Sequence, residues 1–293
     1  MSAATSKISR RNALLVAFTV VGLVAVGAFA LRQKFQSGGF GAVQVLAADG
    51  VIFFGREGGE YSGVAASALQ PSDIVGLKFS RSTAQPADLN RMRQLPGILT
   101  VTIEKCDNAD NILETTSTLP GCRCVDILGS QISNKGVDAI RRHGELAQLT
   151  VKDISLKELD MRLLGKLPKV RILTLQGRTI DDSVLDAVTE LFDVQFLGLE
   201  DCSVSDLSFA SIARMSNLES LAIIDTSITG AGFKHLAKLK KLSRVRLQDC
   251  DVDDSGLFSL STIGSLETVR IGSLKTTASG VSQLGEKVRV IRD

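Results

Sequence analysis

The sequence predicts an α/β solenoid, in which short repeats stack so that a parallel β-sheet lines a concave face and short helices line the convex face. Three observations support this fold class. Apolar residues recur every 24 residues through most of the chain, and their spacing inside each repeat changes from that of a strand to that of a helix. An uncharged apolar stretch near the N-terminus is long enough to cross a membrane, so one transmembrane helix is predicted to precede the solenoid.

The composition limits the functions that this chain can have. Its 293 residues are 44% hydrophobic and only 4% aromatic, which fits a regular stack better than two compact cores. Two His and no Trp offer little material for catalytic or metal chemistry, and no cofactor is predicted. The formal net charge is +2, but five basic residues precede residue 35 and the rest of the chain carries about −3. That balance argues against a nucleic-acid partner.

The N-terminus is predicted to hold the protein in a membrane. Residues 1–12 form a basic tail, and the nineteen residues 13–31 contain no charged side chain. As a helix that stretch spans about 29 Å, close to the thickness of the hydrocarbon layer. The basic tail outweighs Arg32 and Lys34 on the other side, so we expect a single-pass protein with a cytoplasmic N-terminus and extracytoplasmic repeats.

Cleavage is the alternative to this signal anchor. The residues Ala28-Phe29-Ala30 have the small-x-small form of a signal-peptide cleavage site. Residues 9–15 also resemble a twin-arginine export signal that lacks the usual Phe. The length of the apolar stretch favours the anchor, because the hydrophobic part of a signal peptide usually runs about 7 to 15 residues. Both interpretations place the repeats outside the cytoplasm.

Residues 32–73 are predicted to form a Gly-rich linker and an N-terminal cap. The segment contains eight Gly and the turn signal Asp49-Gly50. The residues around that turn fit two short strands, at 43–48 and 51–54, or a helix that Gly50 ends and a strand follows. Either arrangement would cover the apolar edge that the first repeat of a stack exposes.

A 24-residue repeat over residues 74–293 is the main feature of the sequence. Its first position is apolar in nine consecutive units: Ile74, Ile98, Cys122, Leu146, Val170, Val194, Leu218, Leu242 and Leu266. The position three residues later is apolar in each unit: Leu77, Val101, Val125, Leu149, Leu173, Leu197, Leu221, Val245 and Val269. So is the position five residues later: Phe79, Ile103, Ile127, Val151, Leu175, Leu199, Ile223, Leu247 and Ile271. Apolar residues two apart predict that a half-buried strand begins each unit.

The second half of each unit is predicted to be a short helix, because its apolar residues are spaced by three. The first of them lies fifteen residues into the unit: Leu89, Leu113, Val137, Met161, Leu185, Phe209, Phe233, Leu257 and Val281. Pro96, Pro120 and Pro168 share one position after that helix, where the proline ring ends it. The spacing fails after Leu284, so a terminal strand over 288–291 is expected instead of a tenth unit.

The seventh unit resembles a leucine-rich repeat, with the pattern Leu218-x-x-Leu221-x-Ile223-x-x-Thr226-x-Ile228 followed by Gly232-Phe233-x-x-Leu236-x-x-Leu239. The segments 194–202 and 242–250 fit the same pattern, and the resemblance covers about three quarters of the chain. With the basic tail, the single span and the Gly-rich cap, the whole chain resembles the membrane-anchored leucine-rich-repeat proteins of planctomycete bacteria. That resemblance implies a binding function and does not imply any defined activity.

The buried turn position of this family, eight residues into the unit, departs from the pattern in three places. Small polar residues occupy it in five units: Cys106, Ser130, Cys202, Thr226 and Cys250. Ile154, Arg178 and Leu274 occupy it elsewhere, and those turns are expected to be looser. We interpret the three Cys as buried core residues, since they belong to units that are not adjacent and Cys202 and Cys250 would lie about 10 Å apart.

The remaining candidates for chemistry have structural explanations. Cys122-x-Cys124 resembles half of a metal motif, but no second pair follows and Cys122 occupies a core position. His143 and His235 belong to units four repeats apart, about 19 Å, and cannot share a site. His143 falls at a mostly apolar helix position. We therefore predict no catalytic residue and no metal ligand among them.

One acidic column of the repeat remains a candidate binding edge. Four Asp lie seven residues into their units: Asp153, Asp201, Asp225 and Asp249. Carboxylates on neighbouring strands repel unless they are paired, hydrogen-bonded or bridged by a cation. The simpler explanation is that each accepts hydrogen bonds from N–H groups of its turn. The alternative is an edge that binds Ca²⁺ or another ligand.

The predicted function is that of an interaction module. Residues two, four and six positions into each unit should face the concave side, and the candidates there are Phe196, Glu200, Ile224, Arg244, Arg246 and Arg270. Arg beside apolar side chains is typical of binding hot spots, although pairing of Arg244 and Arg246 with Asp225 and Asp249 would also explain them. The partner is a protein or a cell-envelope ligand. A structural spacer without a ligand is the alternative, and an enzyme is the least favoured class.

Overall fold

A computed structural model of the protein describes residues 39–66, 69–154, 159, 167, 169–189 and 193–292. The predicted tail, membrane span and cleavage site all precede residue 39 and lie outside the described residues. Within the described part of the chain, no helix is long and apolar enough to cross a membrane.

The first described segment is a cap that covers the start of the sheet. Helix α1 (Gly39–Ala48) is followed by Gly50, whose φ of 76° reverses the chain, and by strand β1 (Ile52–Gly55). Strand β2 (Glu60–Tyr61) and helix α2 (Gly63–Ala66) complete it. Of the two arrangements that the sequence allowed, the structure has the helix and strand. The inner side of α1 is fully buried, and β1 pairs antiparallel with the first repeat strand.

Nine strands follow at the positions that the repeat predicts. Their bounds are β3 (Ile74–Ser80), β4 (Thr100–Glu104), β5 (Cys124–Leu128), β6 (Gln148–Lys152), β7 (Ile172–Gln176), β8 (Phe196–Glu200), β9 (Ser220–Thr226), β10 (Arg244–Cys250) and β11 (Thr268–Gly272). Each pairs in parallel with the next, and residues at the same position of adjacent units face each other, as in Val101 with Val125. The apolar residues at the three repeat positions are all buried, none more than 6% exposed, so the predicted solenoid core is confirmed.

Short helices connect the strands and pack on the opposite side of the core. They are α3 (Pro86–Leu89), α4 (Ala109–Thr116), α5 (Asn134–Arg141), α6 (Asp182–Val188), α7 (Ser208–Ile212), α8 (Asp254–Ser261) and α9 (Ala278–Ser282), with 3-10 helices at Asn90–Gln94 and Phe233–Lys238. The corresponding stretch of the fourth repeat lies outside the described residues. Phe209 and Phe233 of adjacent repeats pack edge to face with ring centroids 4.9 Å apart, which ties the helical layer together.

The sheet ends in strand β12 (Arg289–Arg292), one residue later than predicted. It pairs in parallel with β11, and Thr268 faces Arg289, so the last connection is shorter than one full repeat. The described sheet therefore has twelve strands, of which β3 to β12 are parallel and β1 and β2 are antiparallel additions at the other edge.

At the turn position eight residues into the unit, the Cys and Ser side chains form hydrogen bonds between repeats. The Sγ of Cys106 lies 3.4 Å from the carbonyl oxygen of Phe79, and the Oγ of Ser130 donates to Ile103 over 3.2 Å. Cys202 and Cys250 make the same contact with the repeat before them. The prediction that these Cys are buried is confirmed.

The expected looser turns are found in one of three units. The residues before Ile154 and Leu274 have φ of 52° and 48°, close to the values in the regular units, so the prediction is wrong there. In the fifth unit Gly177 has a φ of 119°, and the turn differs. Arg178 leaves the buried position altogether, since its side chain is 77% exposed and pairs with Asp201 at 2.8 Å.

Candidate binding surface

Side chains alternate between the core and solvent along the repeat strands, apart from the buried Gly76, Gly198 and Gly272. The solvent-facing side lies opposite the helices. We call this side the concave face. Burial alternates residue by residue in β4, β5 and β6, so positions two, four and six of each unit lie on it. The structure places all six candidates there, with Arg244 and Arg270 exposed and the others half-buried: Phe196, Glu200, Ile224 and Arg246.

The register of the last three strands gathers four Arg on this face. Arg246 pairs with Arg270 on the next strand, and Arg244 pairs with Thr268, which pairs in turn with Arg289. Neighbouring strands are about 4.8 Å apart, so the four guanidinium groups belong to one arginine patch: Arg244, Arg246, Arg270 and Arg289. Sequence reasoning missed Arg289 because it follows the point where the 24-residue spacing fails.

Arg246 is oriented by hydrogen bonds along its own strand. Its Nη2 donates to Oε1 of Gln248 over 2.7 Å, and Nε2 of Gln248 donates to Oδ2 of Asp249 over 3.0 Å. The sequence-based alternative paired Arg244 and Arg246 directly with acidic residues at the edge. In the structure the side-chain amide of Gln248 links Arg246 to Asp249.

A set of apolar and small residues lies beside the arginine patch. We call it the apolar strip, and its members are Ile172, Phe196, Gly198, Ala222 and Ile224. Ile172 is 38% exposed. Ala222 pairs with Arg246 in register, so apolar and cationic surfaces meet at the junction of β9 and β10.

On the first half of the concave face, one basic and one acidic side chain pair with each other. Nζ of Lys78 lies 3.1 Å from Oε2 of Glu104, and Oγ of Ser80 donates to the same oxygen over 3.0 Å. The hydrogen bond from Lys78, followed by that from Ser80, lowers the pKa of the Glu104 carboxyl. Lys78 therefore has a partner on this face, whereas Arg81 and Lys105 lie at positive-φ turns at its edge.

The acidic column at the turns has a conformational cause. We call Asp153, Asp201, Asp225 and Asp249 the turn aspartates, and all four have φ between 49° and 52°. Every other unit also has a positive φ at this position, whether Gly or another residue occupies it. Asp and Gly tolerate this conformation better than most residues. The expected hydrogen bonds from turn N–H groups are absent among the described residues, so that part of the prediction is wrong.

A hollow of about 440 Å³ opens beside two of the turn aspartates. Asp225, Asp249 and Asp251 line it, and Arg178 contributes a positive charge. Across the described residues, no three His, Cys, Asp or Glu side chains are gathered closely enough to hold a metal ion.

A second acidic column, which sequence reasoning missed, accepts the hydrogen bonds instead. We call Asp110, Asp182, Asp206 and Asp254 the helix-start aspartates; each lies twelve residues into its unit and bonds to the next repeat. Asp206 accepts from the N–H groups of Thr229, Gly230 and Gly232 over 3.0 Å each, and from Oγ1 of Thr229 over 2.8 Å. The sequence contains a signal for this column, because a Ser or Thr lies 23 residues after each of these Asp, one residue less than the 24-residue repeat.

Partial burial and hydrogen bonding act in opposite directions on these carboxyls. Burial opposes the ionisation of Asp206, but hydrogen bonds from Gly232 and Thr229 outweigh it and lower the pKa. Burial likewise opposes the ionisation of Asp182, and hydrogen bonds from Ser205 and Ser208 lower its pKa overall. The negative charges of this column are therefore used to join repeats.

The two His and the Cys are not gathered into a reactive site. His143 is 3% exposed, with Nδ1 3.0 Å from the carbonyl oxygen of Ala139 and Nε2 3.2 Å from Oγ1 of Thr116. Burial lowers the pKa of its imidazole. All five Cys are free thiols, and burial raises the pKa of Cys122 to about 12, which leaves its thiol un-ionised and a poor nucleophile at neutral pH.

Strands β3 to β11 are parallel and stack at a constant offset, and a turn and a short helix follow each strand whose connection the structure describes in full. This arrangement defines the class of the protein: an α/β solenoid of the leucine-rich-repeat type. No protein-family model matches the sequence, and no curated protein does either.

Solved structures with a similar fold include the TLR13–ssRNA13 complex. That match has a TM-score of 0.56 and 15% sequence identity, and it covers 75% of this chain but 32% of that one. Internalin C2 of Listeria monocytogenes is 18% identical with a TM-score of 0.49, covering 80% of this chain and 92% of the other. An internalin, InlF, from the same organism is 14% identical with a TM-score of 0.46, covering 70% and 69%. The similarity to the TLR13 chain supports the fold alone.

Proposed function

We propose that this protein is a non-enzymatic interaction module that binds a protein or cell-envelope ligand on its concave face. The observation that carries the proposal is the arginine patch beside the apolar strip on one continuous sheet. A hydrogen-bonded sheet holds these side chains in place before the ligand arrives, which reduces the entropy lost on binding. Arg and aromatic residues are also the types that most often dominate binding energy.

A structural spacer without a ligand is the second candidate. The first half of the concave face favours it, because Lys78 and Glu104 pair with each other there and the basic and acidic residues are equal in number. The second half favours a ligand, because four guanidinium groups on three adjacent strands attract an anionic partner.

We further propose that residues 13–31 anchor the repeats outside the cytoplasm, as in the planctomycete proteins that the sequence resembles. The uncharged stretch and its basic flank support this proposal. Alkaline carbonate extraction and protease accessibility of intact cells test it together. Full-length protein in the soluble fraction contradicts the anchor, and protection of the repeats in intact cells contradicts the orientation.

Binding is tested by co-purification of partners with the full chain from detergent-solubilised membranes. The triple change Arg244→Ser, Arg246→Ser and Arg270→Ser should abolish capture while leaving circular dichroism and the melting temperature nearly intact. The matched control removes the same charge from the convex side, where Lys234, Lys238 and Lys240 are exposed. Capture that survives the first triple change, or that both triple changes abolish, contradicts the concave site.

A further inference from the structure

We infer that the segment bound on the concave face is an acidic peptide in which carboxylate side chains stand next to apolar ones. This inference rests on the proposed function and specifies the chemistry of the partner. It follows from the adjacency of the arginine patch and the apolar strip, which together occupy six neighbouring strands from β7 to β12.

Charge on the concave face is concentrated at one end. The solvent-facing positions of β3 to β7 carry two basic and two acidic residues: Lys78, Lys152, Glu104 and Asp126. Those of β8 to β12 carry the four Arg of the patch and a single acid, Glu200. A ligand that complements the second half must be anionic, since opposite charges steer association and like charges oppose it.

The geometry of the patch favours carboxylates held in a fixed orientation. Arg246 is half-buried and its guanidinium is fixed by Gln248, which Asp249 holds in turn. A guanidinium oriented in this way can present two parallel N–H donors to one carboxylate, and such charge-assisted pairs are the stronger class of hydrogen bond. Gln248 therefore acts as a positioning residue for the patch.

The apolar strip distinguishes a peptide from other polyanions. Ile172 and Ile224 lie in the solvent-facing rows, and burying their exposed surface contributes about 25 cal/mol for each Å² removed from water. Sulfated polysaccharides have no apolar side chains to occupy this strip. Single-stranded nucleic acids rely on stacking against aromatic rings, and Phe196 is the one aromatic residue at the solvent-facing positions of β3 to β12.

The size of the surface sets the length of the ligand. Six adjacent strands span about 24 Å, which an extended peptide of about seven residues covers. The partner that fits is a short extended segment with apolar residues over β7 to β9 and Asp or Glu over β10 to β12.

Synthetic peptides test the inference directly. We would measure binding of a labelled ten-residue peptide, four Leu-rich residues followed by six Glu-rich residues, to the full chain in nanodiscs by fluorescence anisotropy. Empty nanodiscs correct for binding to lipid. We expect it to bind about tenfold or more tightly than two matched peptides, one with Gln for Glu and one with Ser for Leu, which corresponds to about 1.4 kcal/mol per tenfold.

Variants of the protein assign the contacts. Changing the four patch Arg to Gln should weaken binding of the Glu peptide about tenfold or more, and Ile172→Ser with Ile224→Ser should weaken it several-fold. The Lys234, Lys238 and Lys240 change to Ser should have no effect. The peptide series on the unmodified protein is a second readout that does not depend on the stability of any variant.

Three outcomes overturn the inference. The first is that the Gln peptide binds as tightly as the Glu peptide. The second is that heparin and a single-stranded RNA homopolymer bind more tightly than the Glu peptide, and that the Ile changes have no effect on their binding. The third is that the Glu peptide does not bind at all. If the peptide fails while the concave Arg changes still abolish capture of a co-purified partner, the proposed function stands and only this inference is wrong. If neither peptide binding nor capture of a partner depends on the concave Arg, both the proposed function and this inference are wrong.

Discussion

Two columns of Asp run along the solenoid, one at the turns after the strands and one at the starts of the helices. The turn aspartates are spaced by the 24-residue repeat, and so are the helix-start aspartates. Asp225 of the first column has a φ of 50° and accepts no backbone hydrogen bond from the described residues. Asp206 of the second column accepts four hydrogen bonds from the repeat that follows it.

The comparison shows that one residue type can repeat for two physical reasons. At the turns the backbone selects Asp, because its short polar side chain tolerates a left-handed conformation and the carboxylate can still face solvent. At the helix starts the carboxylate is selected, because it satisfies N–H groups that have no partner within their own helix or turn. The side chains of Asp201 and Asp249 in the first column contact Arg178 and Gln248, whereas the second column uses its charge to join repeats.

The largest expected effect comes from filling the space beside a helix-start aspartate. A Cβ at Gly232 would collide with the backbone carbonyl oxygen of Asp206 and lie 2.6 Å from the Phe209 ring. Neither group can move freely, so we expect Gly232→Ala to reduce the free energy of unfolding by about 3 kcal/mol. Gly264→Ala is the matched control, because nothing lies within 4 Å of its Cβ. Equal melting temperatures for the two variants would contradict the close packing of these repeats.

The second effect comes from the carboxylates themselves. Asp206→Asn removes one acceptor oxygen and the charge from a site with four donors, and we expect a loss of about 1–2 kcal/mol. Asp225→Asn keeps the tolerance for positive φ and breaks no backbone hydrogen bond, so we expect a change within about 0.5 kcal/mol. Urea denaturation of both variants measures the difference, and a larger loss for Asp225→Asn would reverse the roles given to the columns.

The turn aspartates should respond to backbone changes instead. Asp225→Val forces a β-branched residue into positive φ, which we expect to cost about 1–2 kcal/mol. Asp225→Gly removes that strain and should be nearly neutral. Thermal melts of the two variants check this, and a Gly variant as unstable as the Val variant would show that the carboxylate itself matters at the turn.

The smallest effect is the dependence of stability on pH. The pKa of Asp206 and of Asp182 is below the ordinary value of 3.8 in the folded protein. The unfolded chain therefore binds protons first, so the stabilisation is complete above about pH 4 and is lost as the pH falls further. The Asp206→Asn variant should lose less stability than the unmodified protein between pH 4 and pH 2, and parallel curves would contradict this assignment.

His143 adds a separate step at higher pH. Its pKa is below the ordinary value of 6.5 in the folded protein because the ring is buried. The unfolded chain binds this proton first, so stability falls as the pH drops below about 6.5, before the carboxyls contribute. Chemical denaturation at pH 7 and pH 5 measures this fall in the free energy of unfolding. We expect it in the unmodified protein and not in His143→Asn.

Much of the fold could be predicted because its determinants are local and regular. Leu221 and Ile223 lie two positions apart with buried side chains, and the same spacing recurs one repeat later in Val245 and Leu247. A single strand pattern, repeated without insertion, predicts the strands, their neighbours and their register together. The candidate surface was predicted for the same reason, since residues between buried positions of a strand must face the other side.

The remaining features depend on contacts between repeats, which the spacing of apolar residues does not encode. Arg289 joins the arginine patch because β12 pairs with β11 after a connection shorter than a full repeat, and only the folded edge of the sheet fixes that pairing. The cap becomes a helix because its apolar residues pack on the first repeat. The sequence shows Asp at two positions of the unit, whereas partners in the following repeat give Asp206 its role. Periodicity predicts which side chains are buried; hydrogen bonds between adjacent repeats decide what the polar side chains do.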